Sequence, residues 1–131
     1  LEKQIRQAVT DGLNVFISGM ARGVDIWAAQ IVLKLRNEGT DVKLICACPY
    51  KGFELGWSRE WQQQYKEVLE SADFIKYVCA GYSRACFQIR NEWMVNHAVR
   101  VIAIFNGEKG GTKNTMDYAA KIGVPVVRIK G

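Results

Sequence analysis

The chain has 131 residues, of which 49% are hydrophobic and 24% are charged, values typical of one globular domain with a buried core. Because no apolar run approaches the roughly 20 residues that span a bilayer and no signal peptide is visible, we expect a cytoplasmic protein with no membrane partner. The net charge of +5 lies mostly beyond residue 108, where five basic side chains accompany only Asp117. A basic C-terminal segment of this kind is compatible with phosphate or nucleic-acid binding, but it more often forms a solvated surface.

Helical and strand patterns alternate along the chain. Helices are predicted over 1–12, 24–37, 57–71, a stretch ending near 98, and 112–122; strands are predicted over 15–18, 42–48, 74–79, 101–105 and 126–129. In the second helix, Val24, Trp27, Ala28, Ile31 and Leu35 form the expected apolar stripe. This alternation implies parallel pairing with right-handed crossovers. The sequence therefore predicts one Rossmann-like α/β domain with an open, mainly parallel sheet of about five strands and helices on both faces.

Unusual residues follow four of the predicted strands. The carboxyl ends of parallel strands meet at one edge of a sheet, and ligands bind beyond that edge. The segments are 18–23 after the first strand, 49–54 after the second, Gly81 and Tyr82 with Arg90 and Asn91 after the third, and 106–115 after the fourth. The loops that enter the strands are plainer, so the carboxyl edge is the expected site.

Two glycine turns at this edge are candidates for binding an anion. Gly19 and Gly23 lead from a strand into a helix start, where unpaired N–H groups and the helix dipole favour negative charge. The segment Gly110–Thr115 offers two glycines and two hydroxyls at a second helix start. The alternatives are a tight turn without a ligand in the first case and Thr112 as a plain helix cap in the second.

Other side chains could contribute contacts to the same ligand. Arg90 could clamp a phosphate or carboxylate, or it could be a surface arginine paired with a helix neighbour. Tyr50, Phe53 and Tyr82 could stack on a base, or they could pack in the core or at its rim.

The four cysteines, Cys46, Cys48, Cys79 and Cys86, include no C-x-x-C pair. Their spacing fits no common zinc site, so free thiols in a reducing compartment are expected. We accordingly expect no metal site and no required cofactor, although a nucleotide-derived ligand is compatible with the pattern.

Taken jointly, four stretches resemble the SLOG superfamily, the Rossmann-like group that contains the DNA-processing protein DprA and the LOG phosphoribohydrolases. The similarity is greatest to the YpsA-like branch. The four stretches occur in family order over nearly the whole chain: SGMARGVD at 18–25, CACPYKGFE at 46–54 with Trp57, RNEWMVNH at 90–97, and 107–115.

The resemblance implies a pocket for a nucleotide or a nucleotide-derived ligand. It assigns Ser18, Gly19, Gly23 and Asp25 to one wall, and the Gly110–Thr112 turn to the phosphate. LOG-type hydrolases carry a glutamate shortly after their glycine-threonine segment, whereas this chain has Asn114, Thr115 and Met116 there. YpsA-like proteins also begin with a strand that ends in a Thr-Gly-His-Arg type of turn. Nothing before Leu1 supplies that turn here, so we expect the domain to lack its first strand.

The favoured interpretation is a nucleotide-binding domain that acts as a sensor or regulatory module. The alternatives are a nucleotide N-glycosidic-bond hydrolase, whose acid or base would be Glu54 or Asp25, and a DprA-like single-stranded DNA binder. Nucleic acid is not the favoured partner, and the oligomeric state is left open. The expected ligand-binding residues are Ser18, Gly19, Arg22, Gly23, Asp25, Pro49, Phe53, Glu54, Tyr82, Arg90, Asn91, Gly110, Gly111, Thr112, Asn114 and Thr115.

Overall fold

The computed structural model describes residues 1–107 and 109–131, and helices and strands alternate through both ranges. The helices are α1 (Glu2–Thr10), α2 (Val24–Asn37), α3 (Arg59–Ser71), α4 (Cys86–Asn96) and α5 (Gly111–Ile122). The strands are β1 (Val15–Ser18), β2 (Lys43–Cys48), β3 (Phe74–Tyr77), β4 (Val101–Phe105) and β5 (Val126–Lys130). Every predicted element is present, and each boundary lies within two residues of its predicted position.

All pairings between the described strands are parallel. One sheet has the order β1-β2-β3, and a second sheet pairs β4 with β5. The Rossmann-like α/β fold is thus confirmed, but the five strands are divided between a three-stranded and a two-stranded sheet instead of forming the single sheet expected. Hydrophobic patterning identifies a buried strand without identifying its neighbour, which is why the sequence could not predict this division.

The main core lies between α2 and the first two strands. Ile26, Val32 and Leu35 of α2 pack in one cluster with Leu44 and Cys46 of β2. The predicted apolar stripe of α2 does not coincide with the face that the helix buries. Trp27, a member of that stripe, is 50% accessible and contacts Trp61 of α3. Apolar residues occupy nearly every position from Ile26 to Leu33, so the sequence shows the helix but not which face it buries.

The ends of the first three strands lie side by side. Ser18, the last residue of β1, is in register with Cys46, and Cys48, the last residue of β2, is in register with Tyr77 at the end of β3. The segments that follow these strands therefore leave from one edge, as the sequence predicts. The buried Pro49 continues directly from β2 into that edge.

Candidate ligand-binding site

The turn between β1 and α2 is held closed by its own side chains. The Ser18 hydroxyl donates to the carbonyl oxygen of Asp25 (2.8 Å) and accepts from the backbone N–H of Met20 (3.2 Å). The Asp25 carboxylate accepts from the backbone N–H of Ala21 (3.2 Å). Gly23, the residue before α2, has a φ of 88°, a left-handed conformation that favours glycine. Met20 also has a positive φ, 62°, and its side chain is fully buried.

Gly19 lies where three side chains converge. A Cβ atom at Gly19 would be 3.0 Å from Asp25 Oδ2, 3.1 Å from Met94 Sδ and 3.2 Å from Arg90 Nη1. Arg90 Nη1 donates a hydrogen bond to the carbonyl oxygen of Gly19. Only a residue without a side chain allows the backbone to approach the Arg90 guanidinium and the Asp25 carboxylate this closely.

Burial shifts the pKa values of both charged groups. Desolvation raises the pKa of the Asp25 carboxyl, and the positive charge of Arg90 and the N–H of Ala21 act in the opposite direction. Desolvation likewise lowers the pKa of the Arg90 guanidinium, while the Asp25 charge opposes that shift. The two groups therefore support each other's charged state in a place where neither charge is well solvated.

Arg90 and Asn91, neighbours on α4, connect the two glycine turns. Arg90 is only 6% exposed, and its Nε donates to Asn91 Oδ1 (2.8 Å). Asn91 Nδ2 in turn lies 3.8 Å from the position that a Cβ atom would take at Gly111. Helices α4 and α5 also pack together, with a hydrogen bond from the Tyr118 hydroxyl to Asn96 Oδ1 (2.7 Å). These contacts bring the β1–α2 turn and the start of α5 to one place.

The second glycine turn opens into a pocket at the carboxyl ends of β4 and β5. Gly110 precedes the first turn of α5 and has a φ of 149°. No side chain caps the start of this helix, so Thr112 is not the cap. The Thr115 hydroxyl donates to the Gly111 carbonyl (2.8 Å). The first N–H groups of a helix have no acceptor within it. Asn114 follows on the exposed side of the helix. The pocket, of about 350 Å³, is lined by Ile104, Phe105, Asn106, Lys109, Gly110, Gly111, Thr112 and Gly131.

Six rings from the segments after β2 and β3 form what we call the aromatic cluster. Its members are Tyr50, Phe53, Trp57, Tyr65, Tyr82 and Phe87. The centroid distances run from 4.9 Å between Phe53 and Trp57 to 6.3 Å between Tyr82 and Phe87. The cluster is buried at Tyr65 and open at Tyr82, which is 71% exposed. The guanidinium of Arg22 lies 5.5 Å from the Trp57 ring centroid, so the β1–α2 turn also contacts the cluster.

Glu54 packs beside α3. It lines a pocket of about 310 Å³ with Arg59, Gln62, Gln63, Tyr65, Lys66, Leu69 and Glu70, all of them on α3. Its Oε1 atom is buried and has no hydrogen-bond partner among the residues that the structure describes. Of the two carboxylates considered for hydrolysis, Asp25 is the one that contacts the β1–α2 glycine turn through the Ala21 N–H.

The unpartnered oxygen of Glu54 has a consequence for stability. We expect Glu54→Gln to raise the free energy of unfolding by about 1 kcal/mol at pH 7, because a buried carboxylate oxygen without a donor is costly and glutamine keeps its shape without its charge. Urea denaturation measures this change. Glu70→Gln, in the same pocket but exposed, is the matched control and should alter stability little. A loss of stability in Glu54→Gln would contradict the expectation.

The cysteines of the core are held as thiols. All four are free, and Cys48 Sγ accepts a hydrogen bond from the Tyr65 hydroxyl (3.2 Å). Burial raises the pKa of Cys46 to about 12 and also raises that of Cys48, so neither sulfur is a ready nucleophile at neutral pH. Among the described residues, no group of three or more His, Cys, Asp or Glu side chains is arranged to hold a metal ion.

Sequence reasoning missed one aromatic residue of this region. Trp57, which belongs to the stretches that carry the family resemblance, packs against the core and also contacts Arg22 of the β1–α2 turn. Phe87 was not singled out, although it joins Tyr50 to Tyr82 from the first turn of α4. Phe87 precedes Asn91 by four residues, and this helical spacing is the signal that could have associated it with the site.

These features define a Rossmann-like α/β protein with two glycine turns, a ligand-sized pocket and an aromatic cluster assembled after parallel strands. The chain belongs to the YpsA family, described as the YspA SLOG family, whose model matches residues 1–123. Membership of the SLOG group supports a nucleotide-related function in general.

Several curated relatives match over most of their length. The SPbeta prophage-derived protein YoqJ of Bacillus subtilis (strain 168) is 36% identical over 118 residues, which cover 81% of this chain and 69% of that protein. A UPF0398 protein of Bacillus thuringiensis (strain Al Hakam) is 30% identical over 124 residues, covering 92% of this chain and 67% of the relative. A UPF0398 protein of Bacillus cereus (strain Q1) matches with the same identity and coverage. No helix in the described ranges is both long and apolar enough to cross a membrane.

Proposed function

We propose that this chain binds a nucleotide or nucleotide-derived ligand at the carboxyl edge of its strands and acts as a sensor or regulatory module. The phosphate lies at the start of α5, against the backbone of Gly110, Gly111 and Thr112. The β1–α2 turn, with Ser18, Gly19, Gly23 and Asp25, forms the opposite wall. Backbone N–H groups at a helix start and the positive end of its dipole suit a phosphate there.

The observation that carries the proposal is the contact made by Arg90 and Asn91. Arg90 holds the Gly19 carbonyl, and Asn91 lies beside Gly111, so both glycine turns are held against one helix although their strands belong to different sheets. In this arrangement the guanidinium supports the wall of the site through Gly19 and does not need to clamp the ligand itself. Lys109, which lines the pocket beside the turn, adds positive charge.

Gly111→Val provides the test. We expect it to weaken the binding of AMP, GMP, CMP or UMP, whichever binds, by about tenfold or more in isothermal titration calorimetry, because the side chain would occupy space at the phosphate. The variant should remain folded, since Gly111 has no positive φ and its nearest neighbour would be Asn91 Nδ2, in ordinary contact at 3.8 Å.

The matched control is Gly56→Val, at a glycine with nothing within 4 Å and no positive φ. It should leave both the affinity and the melting temperature close to those of the unmodified chain. Unchanged affinity in Gly111→Val, or an equal loss in Gly56→Val, would refute the phosphate position.

Hydrolysis, with Glu54 or Asp25 as its acid or base, is the second candidate, and Asp25 is the carboxylate that contacts the β1–α2 turn. Burial raises the pKa of its carboxyl, as a general acid requires, but its Oδ2 atom already accepts from the Ala21 N–H. Incubation with the four nucleoside monophosphates and analysis for free base tests this function. Turnover that Asp25→Asn abolishes would make the protein an enzyme and the sensor proposal wrong.

Binding of single-stranded DNA has less structural support. Of the basic side chains near the C-terminal end, Lys113 is paired with Asp117 (2.7 Å) and Arg128 lies 5.5 Å from the Phe105 ring centroid. DNA binding through this end would weaken steeply with increasing salt, which an anisotropy titration at two ionic strengths would reveal.

A further inference from the structure

The side chains of Cys79 and Cys86 meet at the base of one exposed segment. Cys79 follows β3, and Cys86 is the first residue of α4. The residues between them, 80–85, are all exposed, whereas Cys86 is fully buried and Cys79 is partly buried. The two thiols are hydrogen-bonded to each other. Two thiols in contact at the ends of a short segment are candidates for joining in a disulfide.

Backbone hydrogen bonds hold both cysteines in place. The N–H of Cys79 donates to the Pro49 carbonyl oxygen (2.9 Å), which extends the pairing of the second and third strands beyond β3 itself. The N–H of Cys86 donates to the Ser83 carbonyl oxygen (3.2 Å) where α4 begins. The contact between the thiols is therefore set by ordered backbone at both ends of the exposed segment.

The two thiols differ in how easily a reagent reaches them. Cys86 is 0% exposed, so a small-molecule disulfide reaches Cys79 first. Burial raises the pKa of the Cys79 thiol and Cys86 raises it further, so little thiolate is present at neutral pH and the first step is slow.

Arg90 lies one helical turn after Cys86 and supplies positive charge there. Burial lowers the pKa of the Arg90 guanidinium, and Cys86 is among the groups that oppose that shift. A thiolate formed at Cys86 therefore has a positive neighbour. It also has the Cys79 sulfur beside it, so its attack on that sulfur takes place within one molecule.

We propose that Cys79 and Cys86 are a reversible thiol–disulfide site that reacts with small-molecule disulfides. The Cys79 thiol loses its proton to solvent, and its sulfur attacks one sulfur of the small disulfide, so a mixed disulfide forms and the first small thiolate leaves. Cys86 likewise loses its proton and attacks the Cys79 sulfur, which expels the second small thiolate. The two released thiolates take up the two protons. Two cysteine thiols are thus oxidised, and one small disulfide is reduced to two thiols.

The bond would close a ring over the segment 80–85 and join the end of the β2–β3 pairing to the first turn of α4. That segment carries Tyr82, which is 71% exposed. A covalent link at both ends limits the conformations that the enclosed residues can adopt. In a reducing compartment the pair would stay as thiols until the supply of oxidised small thiol rises.

The test equilibrates the native chain with oxidised and reduced glutathione, traps the remaining thiols with iodoacetamide and maps the tryptic peptides. Trypsin cuts after Lys76, Arg84 and Arg90, so the two cysteines fall in separate peptides, 77–84 and 85–90. At oxidising ratios we expect these two peptides to be joined by a disulfide. Dithiothreitol should separate them again.

Cys46 and Cys48 provide an internal control. Both are fully buried and fall together in the tryptic peptide 44–51, so they should remain thiols throughout. Thiol titration in denaturant should accordingly fall from four thiols to two when the chain is oxidised.

Two variants identify the role of each sulfur. In Cys86→Ala, Cys79 should retain glutathione, because the mixed disulfide has no second thiol to resolve it. In Cys79→Ser, Cys86 should remain a thiol, because glutathione does not reach a fully buried sulfur. Circular dichroism checks that both variants fold. If Cys86→Ala does not fold, the peptide map of the unmodified chain decides the question alone.

The site would be wrong if the unmodified chain carried glutathione on Cys79 beside a free Cys86, or if both remained thiols at the most oxidising ratio. A disulfide from either cysteine to Cys46 or Cys48 would also contradict it. Amide hydrogens of residues 80–85 should exchange more slowly in the oxidised chain than in the reduced chain. Equal exchange rates would overturn the restraint of that segment. No step of the test uses a nucleotide, so its result is independent of the proposed function.

Discussion

Replacing Arg90 by methionine should lower the free energy of unfolding by about 3 kcal/mol, and the affinity for the proposed ligand should fall as well. The side chain is buried, donates to the Gly19 carbonyl and to Asn91, and lies beside the Asp25 carboxylate. Removing it leaves a buried carbonyl without its donor and a desolvated carboxylate without its positive neighbour, and both losses are costly. Urea denaturation followed by circular dichroism measures the change.

Two variants make the result specific. Arg36→Met removes a half-exposed arginine that binds Asp73 and the Ser71 carbonyl, and it should cost at most about 1 kcal/mol. Arg90→Lys keeps the charge but not the planar fork that reaches two acceptors, so it should recover only part of the lost stability. The stabilising role of the buried Arg90 side chain would be contradicted if Arg90→Met lowered the free energy of unfolding no more than Arg36→Met does.

Gly19→Val should be the second severe substitution, lowering the free energy of unfolding by about 2 kcal/mol. Its Cβ atom alone would lie 3.0 Å from the Asp25 carboxylate and 3.2 Å from the Arg90 guanidinium, and the methyl groups would need further displacement. Because those two groups hold the turn, we also expect weaker nucleotide binding. Thermal and urea unfolding together with calorimetry would measure both effects.

The same Gly56→Val variant is the control for this substitution, since it adds the same side chain where nothing lies within 4 Å. Gly19→Ala should fall between the unmodified chain and Gly19→Val, because only the Cβ atom is added. Equal stabilities of Gly19→Val and Gly56→Val would show that the close approach at Gly19 is not needed.

Local signals predicted the elements and the edge of the sheet well. The glycines at 19 and 23, the apolar run before them and the helix pattern after them led to β1, the turn and α2, all of which the structure contains. The residues that follow the strands could be assigned to one edge, because hydrophobic periodicity identifies the strands and their alternation with helices implies parallel pairing. These inferences depend only on patterns among residues that are close together in the sequence.

Contacts between distant segments were not predictable in the same way. Arg90 and Gly19 are 71 positions apart, and their hydrogen bond depends on how α4 docks against the β1–α2 turn. A sequence shows that an arginine is present but not whether its guanidinium turns inward or towards a ligand. Similarly, the sequence shows that Glu54 follows β2, but it does not show that its side chain lines a pocket with residues of α3.

If the ligand binds as proposed, Met20 makes the two walls of its site unequal. Its fully buried side chain anchors the β1–α2 turn in the protein interior, in spite of the left-handed backbone that a residue other than glycine rarely adopts. A ligand that arrives at this wall finds it preorganised, and little conformational entropy is lost there on binding. The opposite wall consists of exposed backbone around two consecutive glycines, the residues that lose most freedom when they are fixed. In the proposed complex, the entropic cost of binding would therefore fall mainly on the phosphate side, and affinity should respond more to rigidity at residues 109–112 than to rigidity in the turn that contains Met20.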